Sequence, residues 1–439
     1  MRSDVPLSLV VVASLELLAG SKSSSGGCAL RTHRAVATLT CLLVLPACTA
    51  GPPPAASPPL SAAPQSLEES MVASGWYRVA PEADLVTPGG HVRVTGLSDV
   101  VATGPDTAWA VGYYADAYDE PRQGVLLRMD GKRWRIEERL WKRFPEASDT
   151  GMGGIDADGP GNVWAVGNAG VGDNEEDAPF ALRLDGHTWR TIKPLGEGKN
   201  RSLSDVAVDG SRVVLTGKRW EYTDDGPSFT PILLSWNGKR FYKQEFERGG
   251  SFDAVDAGAG HTWIAGSRTP EGCTGSRPAI WHRSSPQEPL VKMRLPAMGA
   301  GALRGILQKG PSDVWAVGEA GTGWRCGGGG VVRPLVLHWD GVSWKQAELP
   351  GGQGSLHSVT ALGSDDVWMV GSSERNSWGV MLLHYSGRRW TREFLAVDGS
   401  VEEQWNEYAL TSIPGTSGLI LVGSAGAEDS EEAIVYRRR

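Results

Sequence analysis

Chemistry that depends on soft ligands has little to work with in this chain, which holds 5 cysteines and 8 histidines among 439 residues. The histidines stand singly, so no zinc-ligand spacing is present. The patterns H-E-x-x-H, G-x-S-x-G and the phosphate loop are all missing, which removes the sequence grounds for a zinc protease, a serine hydrolase of that type or a nucleotide-binding enzyme. Positive charge is not in surplus either. Lys and Arg number 43 against 51 Asp and Glu, a net charge of -8, and an acidic chain gains nothing from a phosphate backbone, so nucleic acid is excluded as a partner. The apolar run Ala35–Leu45 is 11 residues long, too short to cross a bilayer.

Glycine (58), proline (27) and tryptophan (18) are abundant instead, a composition suited to turn-rich β structure. The tryptophans fall in a recurring phrase. Trp109-Ala-Val-Gly112, Trp164-Ala-Val-Gly167, Trp263-Ile-Ala-Gly266, Trp315-Ala-Val-Gly318 and Trp368-Met-Val-Gly371 are close copies, with Val214-Leu-Thr-Gly217 and Leu421-Val-Gly423 as weaker ones. The closing glycines are separated by 55, 50, 49, 52, 53 and 52 residues. Seven units of about 50 residues have the period of propeller blades rather than of helical solenoids.

The fifth unit reads most clearly. Arg304–Gln308 alternates apolar and polar residues, Gly310-Pro-Ser-Asp313 supplies turn chemistry, and Val314–Gly318 is a buried-strand phrase. Pro334–Trp339 and Ser343–Leu349 then flank Asp340-Gly341, and an Asp-Gly step between alternating runs signals a hairpin. Each unit is therefore a four-stranded antiparallel meander. The fourth unit has Ser284-Ser-Pro-Gln287 instead of this step, so a longer outer hairpin is expected there. The seventh unit stops at Ala433–Arg439 without an outer strand, while Ser74-Gly-Trp-Tyr-Arg-Val79 has the outer-strand phrase and lies ahead of the first unit. The expected fold is all-β: a seven-bladed propeller whose N-terminal strand completes the last blade, which removes free sheet edges.

On the D-x-W-A-V-G and W-D-G-x-x-W phrases, residues 74–439 resemble secreted β-propeller lipoproteins of actinobacterial type, within the galactose-oxidase and kelch-like superfamily. The resemblance implies the fold and leaves activity open, because the matching positions are strand cores and turns. The sequence departs from enzyme-bearing propellers. It has no Asp-box series and no kelch double-glycine signature, and nothing can be matched to a copper site. No cofactor is expected.

Arg31–Arg34 is a basic lead, Ala35–Leu45 follows, and Leu45-Pro-Ala-Cys48 closes the segment like a lipobox. Residues 1–29 fit no pattern of a mature protein, so translation is expected to start near Leu30, the alternative being an unusually long signal peptide. Residues 30–47 then form a lipoprotein signal peptide. Cys48 is the lipidation site, residues 48–73 are a Pro/Ala/Ser-rich tether, and 74–439 are the propeller. The expected location is the outer face of the cytoplasmic membrane, with the lipid as the only membrane contact. Cys273 and Cys326 lie in corresponding loops of adjacent units, and in an oxidising exterior a disulfide between them is expected.

The turns between first and second strands and between third and fourth strands are short and share one rim. The second-to-third loops and the connections between blades share the other, and these are long and unlike, which is where binding usually resides on a rigid scaffold. They carry aromatics outside the repeat phrase, so Tyr114, Trp141, Trp220, Trp324, Trp378 and Trp405 are the candidate ligand-binding residues. Carboxylates lie beside them, and aromatic faces with carboxylates suit sugar rings or a basic peptide. Asp173–Asp177 offers oxygen ligands for calcium without the spacing of a defined loop. The expected role is a monomeric scaffold recognising an extracellular carbohydrate or protein. The alternatives are a carbohydrate-active hydrolase or lyase using loop carboxylates, and a structural part of an envelope complex.

Overall fold

The computed structural model describes residues 68–70, 75–79, 93–115, 122–131, 133–171, 176–196, 200–223, 226–269, 275–322, 331–349, 351–373, 379–395, 407–425 and 432–439. All of them lie within the compact unit Ala55–Arg439. They form seven sheets, each built on four consecutive strands in meander order except at the closing blade. Blade one is Arg93–Gly104, Thr107–Ala115, Gln123–Asp130 and Arg133–Arg139. The first strand of each blade is innermost and packs on the first strands of its neighbours.

Blade seven takes three strands from the C-terminal end, Tyr408–Ser412, Leu419–Ala425 and Glu432–Arg438, and its outer strand from Trp76–Arg78. Trp76 pairs with Arg438 and Arg78 with Tyr436 in antiparallel register, and the Val79 amide continues the ladder by donating to Val435 O at 2.8 Å. Gly75 has φ +81°, the left-handed turn that the other hairpins make with Gly131, Gly341 and Gly387. The ring therefore closes as the sequence leads one to expect. Glu68–Ser70 adds a fifth, parallel strand outside blade six, which the sequence pattern does not announce. The loop before the outer strand of blade four runs from 284 to 290, longer than the Asp-Gly turns, as expected, and the strand itself is only Val291–Lys292.

The seams between blades hold the tryptophans. The second-strand tryptophan of one blade meets the outer-strand aromatic of the next edge-on: Trp109–Trp189 (5.3 Å between centroids), Trp164–Phe241 (6.0 Å), Trp263–Trp344 (5.7 Å), Trp315–Trp390 (6.3 Å) and Trp368–Trp76 (6.1 Å). The flat sides of these second-strand indoles are covered from within the same blade. The third-strand residue opposite each one is Arg128, Arg183, His282, His338 or His384, which lies over its ring. Asp313 and Asp366 then accept hydrogen bonds from both the indole Nε1 and the histidine Nε2. These histidines are packing groups of the sheet.

Candidate binding face

The closing glycine of each repeat has a structural cause. Inner strands of blades one to six carry a one-residue bulge opposite it, between Leu97/Asp99, Met152/Gly154, Leu203/Asp205, Phe252/Ala254, Leu303/Gly305 and Leu356/Ser358. The bulge pushes an inner-strand carbonyl against the glycine, so that a Cβ on Gly318 would collide with Ala302 O and one on Gly371 with Ser355 O. Blade seven has no bulge. Its Gly423 instead lies against the Tyr408 ring.

The residues lifted out by the bulges are Ser98, Gly153, Ser204, Asp253, Arg304 and His357, one per blade at one level of the inner wall. In blades four, five and six they are ionisable, Asp253, Arg304 and His357. Arg304 makes a two-pronged pair with the buried Glu319, Nε and Nη2 each at 2.9 Å. Enclosure raises the Asp253 carboxyl, against the Ser251 hydroxyl and the field of Arg304 and Lys218, which lower it. Enclosure and the Arg304 charge together hold His357 down to about 3. This neutral ring bonds to Ser355 Oγ at 2.8 Å and accepts from the Tyr408 amide at 3.3 Å. Glu407, exposed just ahead of blade seven, acts on both Arg304 and Asp99. Blades four to seven thus contribute to one girdle of ionisable groups on the inner wall.

Below this level, four carboxylates brace neighbouring inner strands. Asp99 accepts from the Ile155 amide (2.8 Å), Asp156 from Val208 (2.6 Å), Asp205 from Val255 (2.8 Å) and Asp256 from Gln308 (2.6 Å). They tie blades one through five in sequence. Ser358 and Thr360 hydroxyls do the same between blades six and seven. Enclosure is the main reason that Asp99 is raised to about 7, Asp156 to about 8, Asp256 to about 6 and Asp205 well above the usual range, with mutual repulsion adding to it. Among the described residues no group of His, Cys, Asp or Glu is arranged to hold a metal ion.

On the rim, blade three stands out. Its second and third strands stay paired for six rungs beyond Gly217–Ile232, to Thr223–Gly226, whereas blade six manages one rung beyond Gly371–Met381. Six residues of strand amount to about 20 Å of projecting hairpin. Side chains alternate along it. Lys218, Trp220 and Tyr222 share the side of Val214, which packs toward blade four, and the Lys218 ammonium lies 5.0 Å from the Phe229 ring centroid. Tyr222 is 79% exposed. On the opposite side Glu221 pairs with Arg219 and with Arg248 (2.5 Å).

Of the residues expected to bind ligand, Trp220 sits half-buried on this hairpin. Tyr114 packs in the core between blades seven and one and is 9% exposed. Trp141 belongs to the single-turn helix Leu140–Arg143 that connects blades one and two on the same rim, and its side chain lies outside the described residues. So do Trp324, Trp378 and Trp405, as well as Cys48, Cys273, Cys326 and the Asp173–Glu175 part of the acidic loop. The girdle of ionisable groups was not anticipated. Its only sequence signal is that Asp253, Arg304 and His357 follow the same apolar position in successive repeats, and that relation needs the strand register to be seen.

The fold places the protein among β-propellers. Solved structures similar to it include "YCF48 bound to D1 peptide" (14% identity, TM-score 0.48, covering 84% of this chain and 98% of that one). Another is the β-propeller domain of the Trilobed protease from Pyrococcus furiosus (11%, 0.49, 77% and 92%). A third is the α-L-arabinanase of Penicillium chrysogenum complexed with arabinobiose (10%, 0.43, 82% and 97%). No protein-family model matches the sequence, and no curated protein matches it.

Proposed function

We propose that the protein is an exported recognition module, held at the membrane through Cys48, whose long-loop face binds an extracellular carbohydrate. The observation that carries this reading is the projecting hairpin of blade three. It presents Trp220 and Tyr222 on one side of an arm whose strands stay paired to Thr223–Gly226 and whose other side carries the Glu221 ion pairs with Arg219 and Arg248. The exposed Tyr222 ring and the half-buried Trp220 beside it give a sugar ring a stacking surface on a paired hairpin. The girdle behind the arm adds acceptors and donors for hydroxyls in Asp253, Glu407 and Arg304.

A second reading, cleavage of that carbohydrate, is favoured by the raised carboxyl of Asp99, on which the exposed Glu407 acts. A carboxylic acid that stays protonated near neutral pH beside an ionised one is the pairing that glycoside hydrolysis requires. One experiment covers both. The purified full-length protein is applied to a glycan array, and any glycan bound is assayed for new reducing ends. Binding should fall about ten-fold or more in Trp220→Ala, at roughly 1–3 kcal/mol for an anchoring ring. The Cys48→Ala protein should bind equally well yet leave the membrane fraction. Binding that ignores Trp220→Ala removes the proposed site, and an array without hits removes the ligand class.

A further inference from the structure

The seam between blades seven and one departs from the others in a way that leaves room. The second-strand position held by Trp109, Trp164, Trp263, Trp315 and Trp368 elsewhere is Ile420 in blade seven. Blade three also lacks the tryptophan, with Val214 in its place, but there Phe252 and Trp281 pack into the seam. Beside Ile420 the facing third strand of blade one carries Met129 just before its turn, where Trp236 and Trp339 stand in blades three and five. Ile420, Met129, Val435 and the buried Trp134 form the floor of an open pocket of about 300 Å³, at the lower end of the range for small-molecule sites.

Its rim is cationic. Arg437 pairs with Ile420 across the sheet, the register in which Arg128 and Arg183 lie over the indoles of Trp109 and Trp164, 5.2 and 5.4 Å from the ring centroids. With no indole beside it, Arg437 reaches instead to Pro105 O at 2.9 Å. Arg439, 5.3 Å from the Tyr77 ring centroid, completes the rim, while the Arg78 side chain lies on the opposite face of the sheet with Tyr436 and pairs there with Glu432 at 3.4 Å. The sequence alone suggests that Arg437–Arg439 is a solvated tail. Arg437 and Arg438 are instead partly buried rungs of the closing blade. Two arginines, Arg437 and Arg439, around one pocket on a chain of net charge -8 make a local field opposite to that of the whole molecule.

We propose that this pocket binds a small aromatic carboxylate, its flat ring taking the place beside Ile420 and Trp134 that an indole side chain fills at the other seams, and its carboxylate meeting Arg437 and Arg439. Arg437 is in register to cover the ring as Arg128 covers Trp109, and guanidinium groups combine ring stacking with carboxylate pairing. The pocket opens at the short-turn end of the seam, beside Pro105. It lies away from the long-loop rim and does not depend on the carbohydrate reading.

The test uses three probes of one shape and different charge, indole-3-acetate, tryptophol and tryptamine, titrated calorimetrically into the full-length protein. Indole-3-acetate should bind saturably with Kd near 1 mM or tighter, tryptophol at least about ten-fold more weakly, and tryptamine not at all. Ile420→Trp, which restores the pattern of the other seams and fills the pocket, should abolish binding without lowering the melting temperature. Arg437→Gln, which leaves the pocket open, should weaken indole-3-acetate by about five-fold or more. The proposal is overturned if indole-3-acetate shows no saturable binding, if tryptophol matches it, or if Ile420→Trp folds and still binds. Should Ile420→Trp fail to fold, unchanged binding in Arg437→Gln overturns it instead.

Discussion

Single residues in this ring are chosen by close backbone approach more than by side-chain chemistry. The glycine that ends each Trp-x-x-Gly phrase is the clearest case, because the inner-strand bulge leaves no space for a Cβ. Gly318→Ala should cost on the order of 1–3 kcal/mol or more, since Ala302 O cannot retreat without breaking the sheet. A Cβ on Gly310 in the same blade would meet nothing within 4 Å, so Gly310→Ala is the matched control. Thermal unfolding of the two variants checks this, and equal melting points would mean that the bulge yields. The glycines themselves are visible in the sequence by their period. The reason for them is not, since a bulge is a relation between two strands.

At the level of elements, the short outer strand Trp76–Arg78 has an effect out of proportion to its length. It supplies Trp76 to the seam with Trp368 and covers the edge of Glu432–Arg438. A protein beginning at Pro81 should lose about 3–5 kcal/mol, the usual cost of removing a large packed aromatic, and should expose a sheet edge to self-association. Calorimetry and size-exclusion chromatography against a protein beginning at Ser66 measure both effects. Identical behaviour of the two would show that the strand is dispensable. This latch was legible beforehand because Gly75-Trp76 repeats the outer-hairpin phrase of other blades. The parallel strand Glu68–Ser70 carries no such phrase, and its place beside blade six came only from the structure. The projecting hairpin of blade three was visible as a long loop with aromatics, but its continued pairing to Thr223–Gly226 was not.

For the whole molecule, the inner carboxylates make ring stability depend on pH. Asp99, Asp156 and Asp256 titrate at about 7, 8 and 6 in the fold against an ordinary value of 3.8. A raised carboxyl contributes stability that is fully present below its unfolded value and is lost as pH rises through the folded one. The lowered histidines His357, His282 and His384 act in the opposite sense, but chiefly below their ordinary 6.5. Between pH 6.5 and 9 the carboxyls alone decide, so stability should fall with rising pH, by up to about 1.4 kcal/mol per pH unit for each unmatched proton. Asp156→Asn keeps an acceptor for the Val208 amide and should flatten the slope. Melting curves across this range give the answer, and a melting point that climbs with pH would contradict it.

The seven-fold count, the meander within each unit and the latch were determined by the sequence alone, because hydrophobic alternation, Asp-Gly turns and tryptophan spacing are local signals repeated many times. The girdle of ionisable groups, the carboxylate braces between blades and the pocket at the closing seam were decided only by the tertiary structure. Each depends on which residues of neighbouring repeats, some 50 positions apart, come to the same height of the ring. That height is set by strand register and bulges. A shift of one residue moves a side chain to the other face of its sheet, and no local pattern in the chain records where neighbouring blades will meet.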